Sequence, residues 1–154
     1  MLRGVVSGGQ TGVDRAALDA AEAAGLERAG WCPLGRIAED GPIDPAYPLR
    51  ETPEARPEQR TEWNVRDSDA TLILLGGAPR GGTATAVASA RIQGRPLRQV
   101  ALEQAPDPEE TRAWLEAAGV ATLNVAGPRE SEAPGIGAEA RAWLDRLFGL
   151  AGPD

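Results

Sequence analysis

The chain has no histidine, no lysine and one cysteine, and its 154 residues include a single tyrosine and a single phenylalanine. Without histidine the usual zinc spacings cannot be built, and one thiol, Cys32, cannot close an internal disulfide. Cys32 could ligate a soft metal or react, but a lone cysteine more often serves as a small core residue. The missing lysine excludes the nucleotide-triphosphate loop, which needs a Lys after its last glycine. General acid–base work is left to carboxylates, Tyr47 or Cys32. Positive charge is scarce as well: 16 basic against 23 acidic residues give a net charge of −7, which argues against a nucleic-acid or acidic-membrane surface. Every basic residue is arginine, whose fork suits phosphate where it meets a pocket. Long apolar runs are also absent, the longest spanning only Leu72 to Leu75, and the N-terminus lacks the apolar block of a signal peptide. A cytoplasmic location and no membrane contact are expected. The balance of 25% charged and 42% hydrophobic residues predicts a globular chain, and its length predicts one domain over residues 1–154.

What is abundant is glycine, and the stretch from Leu2 to Gly25 shows its use. Leu2, Val5 and Val6 form a short apolar run that Gly8 and Gly9 end. From Val13 the positions Val13, Ala16, Ala17, Ala20, Ala21 and Ala24 recur at the spacing of one helix face, and Gly25 stops the helix. Ser7, Gln10 and Thr11 carry small polar groups between glycines, ahead of a helix N-terminus with unpaired N–H groups and a positive dipole end. Such a turn can hold an anion. It matches the dinucleotide fingerprint only in part, because Ser7 stands at the first glycine position and Gly9 and Gly12 at the second and third. A tight turn that binds nothing is the alternative for one such element alone.

Further along, Leu26 to Trp31 reads as a short strand, followed by a stretch from Cys32 to Arg60 with six prolines and no periodicity. Connections of this length are usually functional or disordered. Ile37, Ile43, Tyr47 and Leu49 look like anchors, which favours an ordered loop over residues 32–60. Thr61 to Ser68 predicts a short helix with Thr61 as N-cap, and Ala70 to Leu75, apolar on both alternations, a central parallel strand covered on both faces. Gly81, Gly82 and Thr83 then repeat the glycine-rich entry to an alanine-rich helix ending near Gly94. A strand over Leu97 to Leu102, a helix over Pro108 to Ala118, a strand over Val120 to Val125 and a helix over Ala138 to Leu150 complete the alternation. This pattern predicts an α/β fold, Rossmann-like and three-layered, with a mainly parallel sheet of about five strands. Ligands of such sheets lie beyond the carboxyl ends of the strands where strand order reverses. Two glycine-rich turns, with Asn124, Arg129, Glu130 and Ser131 at a third strand end, predict a phosphate-bearing ligand there.

Five segments carry a family resemblance: SGGQTGVDRAALDAA from Ser7, GWCPLGRIAEDGPI from Gly30, YPLRET from Tyr47, RTEWNVRDSDATLI from Arg60 and LNVAGPRESEAPGI from Leu123. Together they resemble the molybdenum cofactor carrier proteins, a family similar in turn to the Rossmann-like group of lysine-decarboxylase-like LOG proteins. The resemblance implies molybdenum cofactor (molybdopterin) or a related phosphorylated pterin as ligand, apo-molybdoenzymes as recipients, and a homo-oligomer, dimer or tetramer. It places Ser7, Gly8, Gly9, Gln10, Thr11 and Gly12 in a first phosphate loop with Asp14 and Arg15 just behind. It puts Arg36, Asp40 and Gly41 in the long loop, Arg60, Asn64, Asp67 and Asp69 around the helix before the central strand, and Gly81, Gly82 and Thr83 in a second loop. Leu34 and Gly137 depart from the family pattern, which often has a Lys and an aromatic there.

The reading that follows is a binding or carrier protein with no catalytic and no metal-ligating residue assigned. The rival is a nucleoside-monophosphate phosphoribohydrolase, the activity of the LOG relatives, whose PGGxGTxxE motif supplies a glutamate to the departing base. Here Ala86 stands at that position, so Asp14, Asp40 or Asp67 would have to substitute. A nucleotide-sensing module would use the same crevice.

Overall fold

The computed structural model describes residues 1–151. The chain opens with β1 (Gly4–Val6) and α1 (Val13–Ala23), whose inward face of Val13, Ala16, Ala17, Ala20 and Ala21 is small enough to lie close on the sheet. Gly25 stops α1 in the left-handed region, at φ 74°, before β2 (Glu27–Ala29). The proline-rich stretch is ordered by four two-residue strands. β3 (Trp31–Cys32) pairs in parallel with a later segment, while β4 (Ile37–Ala38) and β5 (Gly41–Pro42) pair antiparallel before that segment, β6 (Arg50–Glu51), arrives. Cys32, Ala38, Ile43 and Leu49 pack with Leu18 into a small core of their own, with Tyr47 against it. Three of the four expected anchors are therefore in place, while Ile37 is 58% exposed.

Next come α2 (Pro57–Arg66), β7 (Ala70–Leu75), α3 (Gly81–Ile92), β8 (Leu97–Ala101), a 3₁₀ turn over Leu102–Gln104, α4 (Pro108–Ala117), β9 (Thr122–Ala126) and α5 (Ile136–Ala151). Helix α2 begins a turn earlier than Thr61. Pro57 occupies its first turn, where a missing N–H costs nothing, and the Thr61 hydroxyl donates to the Pro57 carbonyl at 3.2 Å instead of capping.

The five longer strands form one parallel sheet in the order β2-β1-β9-β7-β8. Ala70–Leu75 is buried throughout as its two-sided apolar pattern requires, but the middle position belongs to β9. Leu72 and Leu74 face a core shared with α1, α4 and α5, while Ile73 and Leu75 face α3, with α2 packed on α3. Helices thus cover both faces, the three layers of a Rossmann-like fold. Trp143 is buried and donates its indole N–H to the Pro106 carbonyl at 2.9 Å, and the rings of Trp31 and Trp63 meet edge-on at 4.8 Å.

The place of β9 carries the topological information. Moved to the front of the chain, the final β–α unit would give the spatial order 3-2-1-4-5 of the doubly wound dinucleotide folds. Strand order then reverses between β9 and β7, and a crevice should open above their carboxyl ends.

Candidate functional site

A cavity of about 320 Å³ lies at that point. Its walls come from four elements: Gly8, Gln10 and Asp14 of the first turn and helix, Arg60, Thr61 and Asn64 of α2, Gly81, Gly82, Thr83, Thr85 and Ala86 of α3, and Asn124, Ala126 and Gly127 at the end of β9. Arg129 and Glu132 of the β9–α5 connection and Glu58 of α2 complete the rim.

With Arg129 standing at the rim, Arg60 is the buried cation of this cavity. Only 9% exposed, it lies over Gly8 and donates from Nη1 to the Gly8 carbonyl at 3.0 Å. Gly8 makes that approach possible, since a Cβ there would stand 2.6 Å from Arg60 Nη1 and 3.1 Å from Asp14 Oδ2. Among the described residues Arg60 has no carboxylate within ion-pair distance. Beside it the N-terminus of α3 has no side-chain cap; the N–H groups of Thr83 and Ala84 both reach back to the Arg80 carbonyl, and those of Gly81 and Gly82 have no partner among the described residues. A positive dipole end and a buried guanidinium therefore face one cavity, an arrangement suited to an oxyanion.

Asp14 is the counterpart. It is 8% exposed, and burial raises its pKa from 3.8 to about 6 despite the pull of Arg60, the N–H groups of Gln10 and Gly127, and Arg15. In the first glycine turn the Asp14 carboxyl draws on one amide, that of Gln10. The Thr11 N–H goes to Gln10 Oε1, the Val13 N–H to the Pro128 carbonyl and the Arg15 N–H to the Gln10 carbonyl. The two glycine-rich turns are unequal: among the described residues the N–H groups of Gly8, Gly9 and Gly12 also lack a partner, but of these only Gly8 lines the crevice, where Asp14 Oδ2 lies 3.1 Å from the place of its Cβ.

Sequence and structure comparisons bear on what such a cavity holds. The family model of the circularly permutated YpsA SLOG family matches residues 5–148. The chain belongs to this family. The permutation in its name agrees with the sheet, where the last β–α unit fills the place of a first one. A solved structure from Syntrophus aciditrophicus SB, named "Putative molybdenum carrier protein", is similar at a TM-score of 0.90 and 36% identity, over 95% of this chain and 94% of that one. A search of curated proteins finds no match.

In this SLOG chain the residues singled out from sequence divide into three groups. Gly8, Gln10, Arg60, Asn64, Gly81, Gly82 and Thr83 line the crevice, although the Asn64 amide is occupied by the Trp31 backbone, at 2.8 Å and 3.1 Å. Thr11, Gly12, Arg15 and Asp40 line a second, more open cleft of about 720 Å³ beside α1 and α5. There Arg15 pairs with Asp40 at 2.6 Å, and Glu39 accepts hydrogen bonds from Thr11 and Ser131, which hold Asp40 and Glu39 below the usual carboxylate range. The rest serve the scaffold. Arg36 donates to the carbonyls of Leu49, Asp44 and Tyr47 and so clamps the long loop. Asp67 ends α2, held by Arg66 and by the Trp31 indole N–H at 2.8 Å. Gly9, at φ 77°, leaves room for Leu49. Tyr47 and Cys32 sit in the loop core; burial pushes the Tyr47 phenol up to about 12 and the Cys32 thiol up as well. Glu58 and Glu132 were missed. The first was hidden in the proline-rich stretch, and the second lies one residue past the polar run read after β9.

Ser7 faces away from the crevice, its hydroxyl donating to the Asp14 carbonyl at 2.9 Å within the core. Ser7→Ala should cost about 1 kcal/mol of stability, the usual loss for one buried hydrogen bond, measured as a lower urea midpoint at unchanged slope.

Proposed function

We propose that this SLOG-family chain binds a phosphorylated pterin of the molybdenum cofactor type in the crevice between α2, α3 and β9, and carries it to apo-molybdoenzymes without transforming it. The observation that carries this reading is Arg60, a buried guanidinium with no carboxylate within ion-pair distance among the described residues, beside the uncapped N-terminus of α3. A phosphate on that helix end would satisfy both, and the organic part would lie toward Asn124 and Ala126. The name of the Syntrophus protein and the five sequence motifs support the choice of ligand.

The hydrolase reading keeps one foothold. Of its three substitute carboxylates only Asp14 lines the crevice, and Ala86 lines it where the LOG motif has glutamate. Purified protein loaded with molybdenum cofactor should slow its oxidation and reconstitute an apo-enzyme, while releasing no adenine from AMP by chromatography. Gly82→Val is the selective variant, because no atom lies within 4 Å of a Cβ there, so the fold accepts it while the side chain blocks the helix end. Cofactor protection that survives Gly82→Val, or steady adenine release lost in Asp14→Asn, would overturn the carrier reading.

A further inference from the structure

We infer that the crevice accepts a single phosphoryl group, so that its ligand is a phosphate monoester and not a diphosphate-bridged dinucleotide or a nucleoside di- or triphosphate. This rests on the proposed anion site and follows from where its free donors lie relative to the carboxylates that line the crevice. Free are the N–H groups of Gly81 and Gly82, the outer edge of the Arg60 guanidinium, and the hydroxyl of Thr83, which is 4% exposed and makes no side-chain hydrogen bond among the described residues. Three tetrahedral oxygens can use these donors fully.

A second phosphoryl would need a second cradle, and the first glycine turn offers its amides only beside the carboxyl of Asp14. Of that turn Gly8, Gln10 and Asp14 line the cavity, the Gln10 N–H is turned to the Asp14 carboxyl, and Asp14 Oδ2 lies 3.1 Å from where a Cβ of Gly8 would stand, so an anion at these amides meets a carboxylate. The charges facing such a group are also of the wrong sign. Asp14, Glu58 and Glu132 line the cavity, and Glu132 Oε2 lies 3.5 Å from where a Cβ of Gly81 would stand. Against them stands Arg129, whose Nε is shared with Glu39 at 3.6 Å and Glu132 at 3.8 Å. Like charges at this range disfavour the added anion.

The test is calorimetric titration of the full chain with orthophosphate and with pyrophosphate, in metal-free buffer. A site that merely collects negative charge prefers pyrophosphate, the more highly charged ion. We expect the reverse here, orthophosphate binding at least tenfold more tightly. The double variant Glu58→Gln/Glu132→Gln, altered only at the rim, should reduce that ratio at least threefold. Pyrophosphate binding as tightly as orthophosphate, or a ratio unchanged in the double variant, would overturn the inference while leaving the anion site standing. Failure of both ions to bind would instead remove the anion site, and the inference with it.

Discussion

Arg60→Ala should lower the affinity for sulfate or phosphate at least a hundredfold, whereas Arg15→Ala, which removes an arginine from the neighbouring cleft, should change it by less than threefold. The contrast follows from where each guanidinium is spent. Arg15 is neutralised by Asp40 at 2.6 Å, and its field at the crevice is largely cancelled. Among the described residues Arg60 donates only to the Gly8 carbonyl and has no carboxylate within ion-pair distance, Asp14 acting on it from farther off, and it is buried where charge-assisted hydrogen bonds are screened least. Truncating one member of a buried, hydrogen-bonded charge pair costs about 2–5 kcal/mol, and a hundredfold loss corresponds to about 2.7 kcal/mol. Arg60→Lys should recover part of the binding, because an ammonium restores the charge but not the fork. Titration with sulfate, alongside circular dichroism to verify folding, decides the matter. Equal affinities for the wild type and Arg60→Ala would remove Arg60 from the site.

That Arg60 rather than Arg36 or Arg15 holds this position was not legible in the sequence, where all three sit among polar residues. What distinguishes them is long-range. Arg60 is laid over Gly8 by the packing of α2 beside the end of β1, and Arg36 is drawn into the carbonyls of its own loop by the turn it occupies at φ 53°. The alternation of strands and helices was legible, because periodicity is local and three of the helices that lead into strands are followed by a glycine, Gly25, Gly94 and Gly119. Strand order was not, since the insertion of β9 between β1 and β7 depends on pairings far apart in the chain, Val5 with Leu123 and Leu72 with Val125. The start of α2 was obscured because Pro57, a breaker in a helix interior, is favourable in a first turn. The two glycine turns read alike for a related reason. Composition reveals where glycine leaves N–H groups accessible, but not that an aspartate in the first turn of the following helix stands beside them in the cavity.

That aspartate sets the final expectation, a binding site and a fold that both weaken as pH rises through about 6. The folded-state pKa of Asp14, about 6, lies above the free value of 3.8, so folding favours its protonated form. Its contribution to stability is complete below about pH 4 and is lost as pH rises through the folded pKa, a change of up to about 3 kcal/mol by about pH 7. Glu39, Asp40 and Asp67, held below their usual range, act in the opposite sense and lose their contributions only as pH falls toward and below about 4. Maximum stability should therefore lie between these two regions. Asp14→Asn should flatten the upper limb of a urea-derived stability profile while leaving the lower limb in place; its offset will reflect the exchange of an acceptor for an amide against the Gln10 and Gly127 N–H groups. Sulfate, whose charge is constant over this range, reports the same proton at the site. Ionised Asp14 shares the cavity with the bound anion, so affinity should rise at least tenfold between about pH 7.5 and about pH 5 in the wild type and by less than threefold in Asp14→Asn. A sulfate affinity that is flat with pH in the wild type would mean that Asp14 titrates without sensing the ligand, and would place the anion beyond its reach, out toward Arg80 and the rim.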